Sequence, residues 1–420
     1  VDQNNSYYQT GSIASPNLDL IPRLGVAYMI DHKTVVRGGY SYFYAPFTGQ
    51  FLDALFLGNA IYQTNLAINP TIANAVLFPH VVSSLLAAPN GTADVMYSSS
   101  KLRNPHSQRG TVSIERELTT TTTLTASFID NRGYKLWTAT DINLATPTKT
   151  GTYTIDDANG NKVGTFTTPI YTAKNDGNYA HVYDVENGGS SWYNALAVEL
   201  RHRLSNQLTV QASYTWSHAI DDVAGPLIAG GIPLITSDPA YTTNRADSAT
   251  NRSQQLAINA VWTPTFSHGD SFVDRYLING WQFSTIGTLG SSLPETPTVV
   301  AGGQQLSGIT PAFPITIDGS GAWDRVPFYA VDSLRTGAMY NWNARFTRTV
   351  PFTERIKGSL MFEVFNILNS QWTTGVNTLA FTAVSGVLKP VPSVGLGNTS
   401  ASYPYGTNAR NCQLDFRVTF

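Results

Sequence analysis

Strict alternation between apolar and polar residues is the pattern that most constrains the fold of this chain. Across residues 208–217, five apolar residues alternate with five polar ones without a break. Because successive side chains of a β-strand point to opposite faces of its sheet, this segment is predicted to be a strand with one apolar face. Residues 195–201 alternate in the same way, and Ser205-Asn206-Gln207 between the two segments predicts a tight turn. A soluble β-sandwich would also accommodate one such hairpin, so the class of fold depends on how often the pattern recurs.

The alternating pattern recurs along the whole chain. The strand predicted at 281–289 has the weakest pattern, because Trp281 and Phe283 face one way while Ile286 faces the other. We predict eleven strands, at residues 23–30, 36–44, 111–115, 123–128, 195–201, 208–217, 256–262, 281–289, 342–346, 360–364 and 414–420.

This repetition predicts an all-β fold, an antiparallel transmembrane β-barrel in an outer membrane. In such a barrel lipid contacts the apolar face, and closure of the sheet leaves no backbone edge unpaired. Charged residues make up 13% of the chain, about half of the ~25% usual in globular proteins, which suits a wall with an apolar outer face. No run approaches the roughly 18 apolar residues that a membrane-spanning helix needs.

The predicted connections alternate in length, which is typical of outer-membrane barrels with short periplasmic turns and long extracellular loops. The first strand then runs inward from the outside. Because single-chain barrels normally have an even number of strands, eleven strands require an odd number of further ones. We therefore expect residues 1–420 to be one domain, the carboxy-terminal half of a larger barrel. Short joints lie near residues 31, 119, 205 and 351, a moderate one near 270, and long ones at about 45–106, 134–190, 218–252, 290–338 and 367–409.

Several strand sequences resemble the carboxy-terminal half of TonB-dependent outer-membrane receptors of the Oar-like kind. The segments that carry the resemblance are PRLGVAYMIDHKTVVRGGYSYFY, NPHSQRGTVSIEREL, TLTASFIDNRGYKLW, WYNALAVELRHRLSNQLTVQASYTWSHAIDD, NGWQFSTIGTLGSSLP and FEVFNILNSQW. The resemblance implies a barrel of about 22 strands, preceded by a carboxypeptidase-regulatory-like domain and a plug. It implies energised uptake of a solute, an oligosaccharide, a peptide or a metal chelate, and no family motif identifies which. We expect the plug, the TonB box and the amino-terminal domain to lie outside this chain.

The resemblance also implies a set of partners. These are the lipid bilayer and lipopolysaccharide, the TonB-ExbB-ExbD complex acting through the missing amino-terminal region, the barrel assembly machinery and an unknown solute. The carboxy-terminal aromatic residue looks like the signal by which such barrels are recognised for insertion. We assign this signal to four alternating apolar residues, Leu414, Phe416, Val418 and Phe420. No cofactor is expected, and the net charge of −2 gives no basis for binding nucleic acid.

The polar positions of the predicted strands would line the lumen and meet the plug. The candidates are Arg37, Glu199, Arg201, Gln211, Asn259, Asn343, Arg345 and Glu363. Loop aromatics offer a second kind of contact, by stacking on a carbohydrate or peptide. These are Tyr44, Phe47, Phe51 and Tyr183. Other aromatics close to strand ends are predicted to form a girdle at the lipid headgroups. They are Trp137, Trp192, Trp216, Trp262, Trp281 and Trp342.

Other patterns have simpler interpretations than catalysis or metal binding. Asp156 to Asn161 has some features of a calcium loop, but the Asn-Gly pair between two alternating segments favours a hairpin turn. His218, Asp221 and Asp222 follow a predicted strand, and we interpret them as polar residues at the rim of the barrel. The single cysteine, Cys412, is interpreted as a small apolar residue of the last strand. No two histidines have metal-ligand spacing. They are His32, His80, His106, His181, His202, His218 and His268.

Two other classes of function remain open at this point. A barrel of this kind serves equally as a surface anchor, an adhesin or a passive porin without energised transport. A soluble all-β enzyme or lectin, such as a propeller, is the third possibility, although no 40–50-residue period recurs and no catalytic carboxylate pair stands out. We therefore do not expect an enzyme.

Overall fold

The computed structural model describes most of the chain. The described residues are 19–58, 93–204, 207–223, 225, 227–235, 244–269, 271–302, 306–321, 325–353, 355–400 and 409–420. Two features from the sequence, the turn residues 205–206 and His80, lie outside these ranges.

The described residues form 24 strands and little helix. The first twelve strands are β1 (Arg23–Asp31), β2 (Thr34–Tyr44), β3 (Ala93–Ser98), β4 (His106–Thr119), β5 (Thr122–Asp141), β6 (Lys149–Asp156), β7 (Lys162–Ile170), β8 (Tyr179–Leu204), β9 (Leu208–Asp221), β10 (Leu227–Ile228), β11 (Ile232–Pro233) and β12 (Ala246–Asp247). The others are β13 (Gln254–Trp262), β14 (Trp281–Gly290), β15 (Pro294–Glu295), β16 (Thr298–Ala301), β17 (Leu334–Arg335), β18 (Met339–Pro351), β19 (Lys357–Phe365), β20 (Thr373–Val376), β21 (Leu379–Val384), β22 (Val387–Pro390), β23 (Gly397–Ser400) and β24 (Asn411–Thr419). The helical elements are α1 (Gly49–Leu57), a 3₁₀ turn at Ala229–Gly231 and a π-helical turn at Asp274–Ile278. None of the described helices is long and apolar enough to cross a membrane.

Eleven long strands form the antiparallel path of a 13-stranded sheet, and we call these eleven strands the wall sheet. Their order is β1-β2-β4-β5-β8-β9-β13-β14-β18-β19-β24, so each long strand pairs with the next long strand along the chain. The two remaining strands lie off this path, β12 paired with β9 and β3 paired in parallel with β8. All eleven predicted strands are confirmed, including the weak one at 281–289. The order begins with β1 and ends with β24, and these two strands do not pair with each other in the described part of the chain.

The register gives the wall sheet two chemically different faces. The apolar face, defined by Leu196, Val198 and Leu200 of β8, continues onto every neighbouring strand through direct cross-strand pairs. On this face Phe283 lies 5.4 Å from both Trp262 and Phe346, measured between ring centroids. Large apolar side chains on this face are exposed, such as Trp262 at 40% and Leu360 at 47%, so the face suits a lipid environment.

The weak pattern at 281–289 has a structural explanation. Ile286 lies on the polar face, opposite the apolar face, where it pairs with Asn259 on one side and Asn343 on the other. Its side chain is 60% exposed. On the apolar face of the same strand, the indole of Trp342 covers Gly287, and a Cβ added there would lie 2.6 Å from the ring. Glycine at position 287 therefore leaves space for the indole of Trp342.

The connections confirm the predicted asymmetry in length. The short connections are 32–33, 120–121, 205–207 and 352–356, the moderate one is 263–280, and the long ones are 45–105, 142–178, 222–253, 291–338 and 366–410. The predicted loop 134–190 was too long, because β5 continues to Asp141 and β8 begins at Tyr179. With 20 and 26 residues, both strands far exceed the ~9–11 that cross a bilayer, so their ends extend beyond it on the long-loop side.

Candidate functional site

Three of the long connections fold together into a second sheet, which we call the cap sheet. Its order is β16-β21-β22-β6-β7, with parallel pairing between β16 and β21 and between β22 and β6. The connections 142–178, 291–338 and 366–410 each contribute at least one strand. Because parallel pairs join segments that are distant in sequence, the cap sheet ties these three loops into one folded unit.

An apolar core underlies the cap sheet. Burial of this many apolar side chains supplies a hydrophobic driving force that isolated loops lack. Its buried members are Tyr153, Ile170, Val299, Ala301, Ile317, Val326, Ala380, Phe381, Ala383 and Leu388. Within it the hydroxyl of Tyr153 donates a 2.8 Å hydrogen bond to the carbonyl oxygen of Ile317. Burial raises the pKa of Tyr153, with a smaller contribution from the charge of Asp318, so the hydroxyl stays protonated and continues to donate.

A second apolar core lies beside the extended ends of β5 and β8. Helix α1 begins after Thr48, whose Oγ1 accepts a hydrogen bond from the backbone N–H of Phe51 at 3.3 Å. The ring of Phe51 stacks on Trp137 with 4.0 Å between centroids. The buried residues of this core are Phe51, Leu55, Met96, Leu102, Ala139, Tyr183, Val185, Ile232 and Leu234.

This second core corrects three interpretations made from the sequence. Phe51 and Tyr183 are 1% and 8% exposed, so they pack inside the loops and are not open for stacking on a solute. Trp137 belongs to the same packing and not to a headgroup girdle. All three lie in segments where apolar residues have another protein surface to bury against, which local sequence does not reveal.

Asn143 lies just after β5, and its side chain fixes the two ends of the connection between β5 and β8 against each other. Its side chain is completely buried. The amide nitrogen donates to the carbonyl oxygens of Asp176 and Tyr179 at 3.0 and 3.1 Å, and its oxygen accepts from the N–H of Asp176 at 2.8 Å. The side-chain amide of Asn143 thus satisfies several backbone groups just before and at the start of β8.

His181 and Asp141 form a largely buried polar pair next to Asn143. The Nδ1 atom of His181 lies 2.7 Å from Oδ2 of Asp141, and the imidazole stacks on Phe313 with 4.2 Å between centroids. Since Phe313 belongs to the connection 291–338, this contact is a further link between two loops. The neighbouring Asp94 accepts the N–H of His181 at 3.2 Å, and burial raises the pKa of its carboxyl group.

The turn at 157–161 is a hairpin turn, as predicted. It joins β6 to β7, and Asp157 Oδ1 accepts the N–H groups of Asn159 and Asn161 at 2.9 and 2.8 Å. These bonds, the one from Asn161 first, lower the pKa of Asp157. Among the described residues, no group of three or more His, Cys, Asp or Glu side chains is arranged to hold a metal ion.

The eight residues proposed to line a lumen all lie on the polar face of the wall sheet. Four of them form one row across the sheet, Arg201, Gln211, Asn259 and Asn343, with Ile286 between the last two. Ion pairs and hydrogen bonds connect most of the set. Arg37 Nη1 lies 2.9 Å from Oε2 of Glu115, Glu199 Oε1 accepts from Arg201 Nε at 2.5 Å and from Gln211 Nε2 at 2.7 Å, Arg345 pairs with Glu363, and Asn343 Oδ1 accepts the N–H of Asn366 at 2.8 Å.

Of the four residues assigned to the assembly signal, Leu414, Phe416 and Val418 lie on the opposite, apolar face, and Phe420 follows the end of β24. Leu414 pairs across the sheet with Phe362, and Phe416 pairs with Leu360. The exposed fractions of Leu414, Phe416, Val418 and Phe420 are 67%, 65%, 47% and 96%. Cys412 is exposed and pairs with Val364 in the same register.

The aromatic residues and arginines near strand ends form several contacts at the rims of the apolar face. Arg348 lies over Trp281 with 5.2 Å to the ring centroid, and Arg245 lies over Trp192 at 4.3 Å. One arrangement of this kind was not foreseen from the sequence. Asp247 joins His218 to Arg335, across sequence separations of 29 and 88 residues. One indication of this arrangement came from the sequence, the expectation that His218 is a polar residue at the rim of the barrel.

Comparison with solved structures finds large outer-membrane proteins at very low identity. Three of these are the outer membrane transporter YddB from Escherichia coli (10% identity, TM-score 0.44, covering 93% of this chain and 39% of that one), the FrpB iron transporter from Neisseria meningitidis (10%, 0.46, 96% and 39%) and the ferripyoverdine receptor of the outer membrane of Pseudomonas aeruginosa (9%, 0.45, 95% and 32%). The chain therefore spans 32–39% of the length of these proteins. A search of curated protein sequences found no match.

The comparison with protein families is more direct. A family model described as "Outer membrane beta barrel domain" matches residues 1–399. This match covers all but the last strand of the wall sheet, whose apolar face is the surface that such a barrel presents to lipid. The chain belongs to the outer membrane beta barrel domain family, and its wall sheet lies in the outer membrane.

Proposed function

We propose that this chain is the carboxy-terminal part of the barrel of a TonB-dependent transporter of the Oar-like kind. The observation that carries the proposal is an open wall sheet of eleven strands under a cap folded from three long loops. An open sheet in lipid leaves unpaired backbone groups on β1 and β24, each of which costs several kcal/mol. Further strands supplied by the same protein would close the barrel.

The polar face of the wall sheet supports the presence of a lumen. Its charged residues occur as close pairs such as Arg37–Glu115 and Arg345–Glu363, which lowers the cost of placing them inside a barrel. In this proposal the eight polar-face residues described above line the lumen and meet a plug. A plug with a TonB box would transmit the pull of the TonB-ExbB-ExbD complex.

The cap supports recognition of a solute. Its loops are held by an apolar core, by Asn143 and by the His181–Asp141 pair, so its outer surface is fixed in shape before any solute arrives. Preorganisation of this kind reduces the entropic cost of binding. The solute class stays open between an oligosaccharide, a peptide and a metal chelate. Leu414, Phe416, Val418 and Phe420 would be read by the barrel assembly machinery.

A folded cap also suits a surface anchor or adhesin, and an unplugged barrel would be a passive porin. Two measurements on the native full-length protein separate these functions. Formaldehyde crosslinking in cells is expected to trap the protein with TonB, and planar bilayers containing the purified protein are expected to show no steady conductance because the plug fills the lumen. Absence of a TonB crosslink would favour the anchor, and a steady open-channel current would favour the porin.

A further inference from the structure

The structure assigns a binding site for an extended peptide to the free edge of the cap sheet. The order of the cap sheet ends with β7, and among the described strands only β6 pairs with it. At the other end of the sheet the connection 291–338 covers β16. The N–H of Ala301 donates to the carbonyl oxygen of Ile315 at 3.1 Å, and that of Val326 donates to Pro297 at 3.0 Å. The chain therefore covers one edge itself, and in its described part the edge at β7 is open to a ligand.

The hydrogen bonds of β6 decide which backbone groups of β7 face this edge. The N–H of Thr154 donates to the carbonyl oxygen of Gly386 at 2.9 Å, on the side of β6 where β22 pairs. Since the N–H and C=O groups of one strand residue point the same way, Thr154 and its cross-strand partner Thr165 do not bond to each other. The backbone groups of Thr165, and those of Thr167 two residues further, therefore point to the free edge.

Pro169 supports this orientation. It lies two residues beyond Thr167, and the register of β7 against β6 is regular from Gly164 to Ile170. The nitrogen of Pro169 therefore faces the free edge, where the missing N–H removes no hydrogen bond from the sheet. The edge presents the N–H groups of Thr165 and Thr167 and the carbonyl groups of Thr165, Thr167 and Pro169.

The side chains of β7 give the two faces of this edge different chemistry. Thr165 and Thr167 are exposed on the outer face of the cap sheet. Phe166 lies on the face of the apolar core, where its ring centroid is 5.3 Å from that of Phe328. Phe328 itself is 37% exposed. A strand added to β7 would place one side chain beside Phe166 and the two flanking side chains beside the threonines.

A peptide matches this edge better than the other solute classes do. An antiparallel peptide strand repeats its N–H and C=O groups at the spacing of the free groups on Thr165 and Thr167, so it satisfies donors and acceptors together. An oligosaccharide has no such repeat, and a compact metal chelate cannot follow five strand residues over about 17 Å. Binding needs only the folded cap. That the peptide is the imported solute rests on the proposed function.

Fluorescence anisotropy with the native full-length protein in detergent tests the assignment. The probe is a fluorescein-labelled peptide, Lys-Thr-Phe-Thr-Val-Thr-Lys, whose phenylalanine would lie beside Phe166. Saturable binding is expected below about 1 mM. In this register the threonine N–H groups of the probe face β7, so N-methylation of the threonine amides is expected to abolish binding. N-methylation of the phenylalanine and valine amides is expected to leave binding unchanged.

Two substitutions at one position separate the backbone from the side chain. Thr167→Pro removes an N–H that the sheet does not use, and it is expected to weaken binding about tenfold or more. Thr167→Val is the matched control. Both variants lose the 2.8 Å contact between the hydroxyl groups of Thr167 and Thr152, but valine keeps the N–H and is expected to leave binding unchanged. Retained heat-modifiable mobility shows that each variant is folded.

Several results would overturn the assignment. Absence of saturable binding, equal binding of the two N-methylated probes, or equal loss in both variants at position 167 would each exclude a backbone ladder at β7. Displacement of the probe by maltoheptaose would make the edge a sugar site. A dimer of the protein that Thr167→Pro dissociates would make it a self-association edge.

The TonB crosslink reports on the proposed function separately. A protein that is crosslinked to TonB but does not bind the probe contradicts only the peptide site. Probe binding without a crosslink contradicts only energised transport.

Discussion

The hydroxyl of Tyr153 donates to the carbonyl oxygen of Ile317 at 2.8 Å, across a separation of 164 residues. This buried bond links the connection between β5 and β8 to the connection between β14 and β18, inside the core of the cap. Tyr153→Phe keeps the ring and removes the donor, so the carbonyl of Ile317 is left buried without this partner. We expect a loss of about 1–3 kcal/mol in local stability of the cap.

Hydrogen exchange of the full-length protein measures that loss. Peptides that cover β6 and the segment around Ile317 are expected to exchange faster in the variant, while the strands of the wall sheet keep their protection. Tyr329→Phe is the matched control, because Tyr329 belongs to the same cap but is 45% exposed. Unchanged exchange in Tyr153→Phe would show that the bond contributes nothing to the cap.

The orientation of the wall sheet is tested by cysteine accessibility. Gln211 and Asn259 pair across β9 and β13 on the polar face, and their neighbours Val210 and Ala260 pair on the apolar face. In a Cys412→Ser background, single cysteines at 211 and 259 are expected to react with a charged, membrane-impermeant thiol reagent in proteoliposomes. Cysteines at 210 and 260 are expected to stay unreacted because lipid covers them. Faster reaction at 210 and 260 would reverse the assignment of the two faces.

The contact between Trp342 and Gly287 predicts a position-specific defect. A Cβ at residue 287 would lie 2.6 Å from the indole ring, so Gly287→Val forces the tryptophan to move, at a cost of about 1–3 kcal/mol. Gly110→Val is the control on the same face of the wall sheet, because no atom lies within 4 Å of the added Cβ. We expect reduced heat-modifiable mobility of the full-length protein for Gly287→Val only; equal behaviour of the two variants would contradict the packing.

The raised pKa of Asp94 predicts that the loop structure around β3 is more stable in mild acid. Burial raises the pKa of its carboxyl group in the folded protein above the ordinary 3.8, against smaller opposing effects of His181. The folded state therefore binds the proton more tightly than the unfolded state. The resulting stability is fully present below pH 3.8 and is lost as the pH rises through the raised pKa. After correction for intrinsic rates, hydrogen exchange in β3 should quicken with rising pH, and Asp94→Asn should abolish this dependence while Asp53→Asn keeps it.

Asp247 predicts a pH dependence of opposite sign at the rim. Its pKa is lowered below 3.8 despite its partial burial, because Arg335 and His218 donate to the carboxylate. Its stabilising contribution is present above the ordinary pKa and is lost as the pH falls through the lowered folded value. Protection of residues 244–253 from exchange should be constant from neutral pH to about pH 5 and should decrease in stronger acid. Asp247→Asn should weaken protection at neutral pH and remove its decrease in acid; full protection in this variant at neutral pH would exclude the role of Asp247.

The wall sheet was predictable because its signal is local. Two-residue alternation within segments such as 208–217 specifies both the strand and its apolar face. The prediction failed where the alternation is interrupted. Around Leu136 the register of β5 against β8 shifts twice, and Lys135 adopts a positive φ of 55°, so the extension of β5 to Asp141 leaves no regular pattern in the sequence.

The packing of the long loops was not predictable because its contacts are not local. The parallel pairing of Val387 with Thr154 and the link between Arg335 and Asp247 join segments of different loops, and nothing in either segment indicates its partner. For the same reason Phe51 and Tyr183, which look available for a solute in the sequence, pack in a core formed by several loops. The hairpin turn at 157–161 was predictable, since Asn-Gly between two alternating segments is a local signal.

The intact mass and amino-terminal sequence of the native outer-membrane polypeptide that carries these residues test the central claim most directly. The proposal predicts a chain about two to three times as long as this one, with further strands that close the barrel, a plug and a TonB box. A native polypeptide of 45.6 kDa that begins at Val1 would contradict it. The eleven strands would then have to close by themselves or with a second copy of the chain.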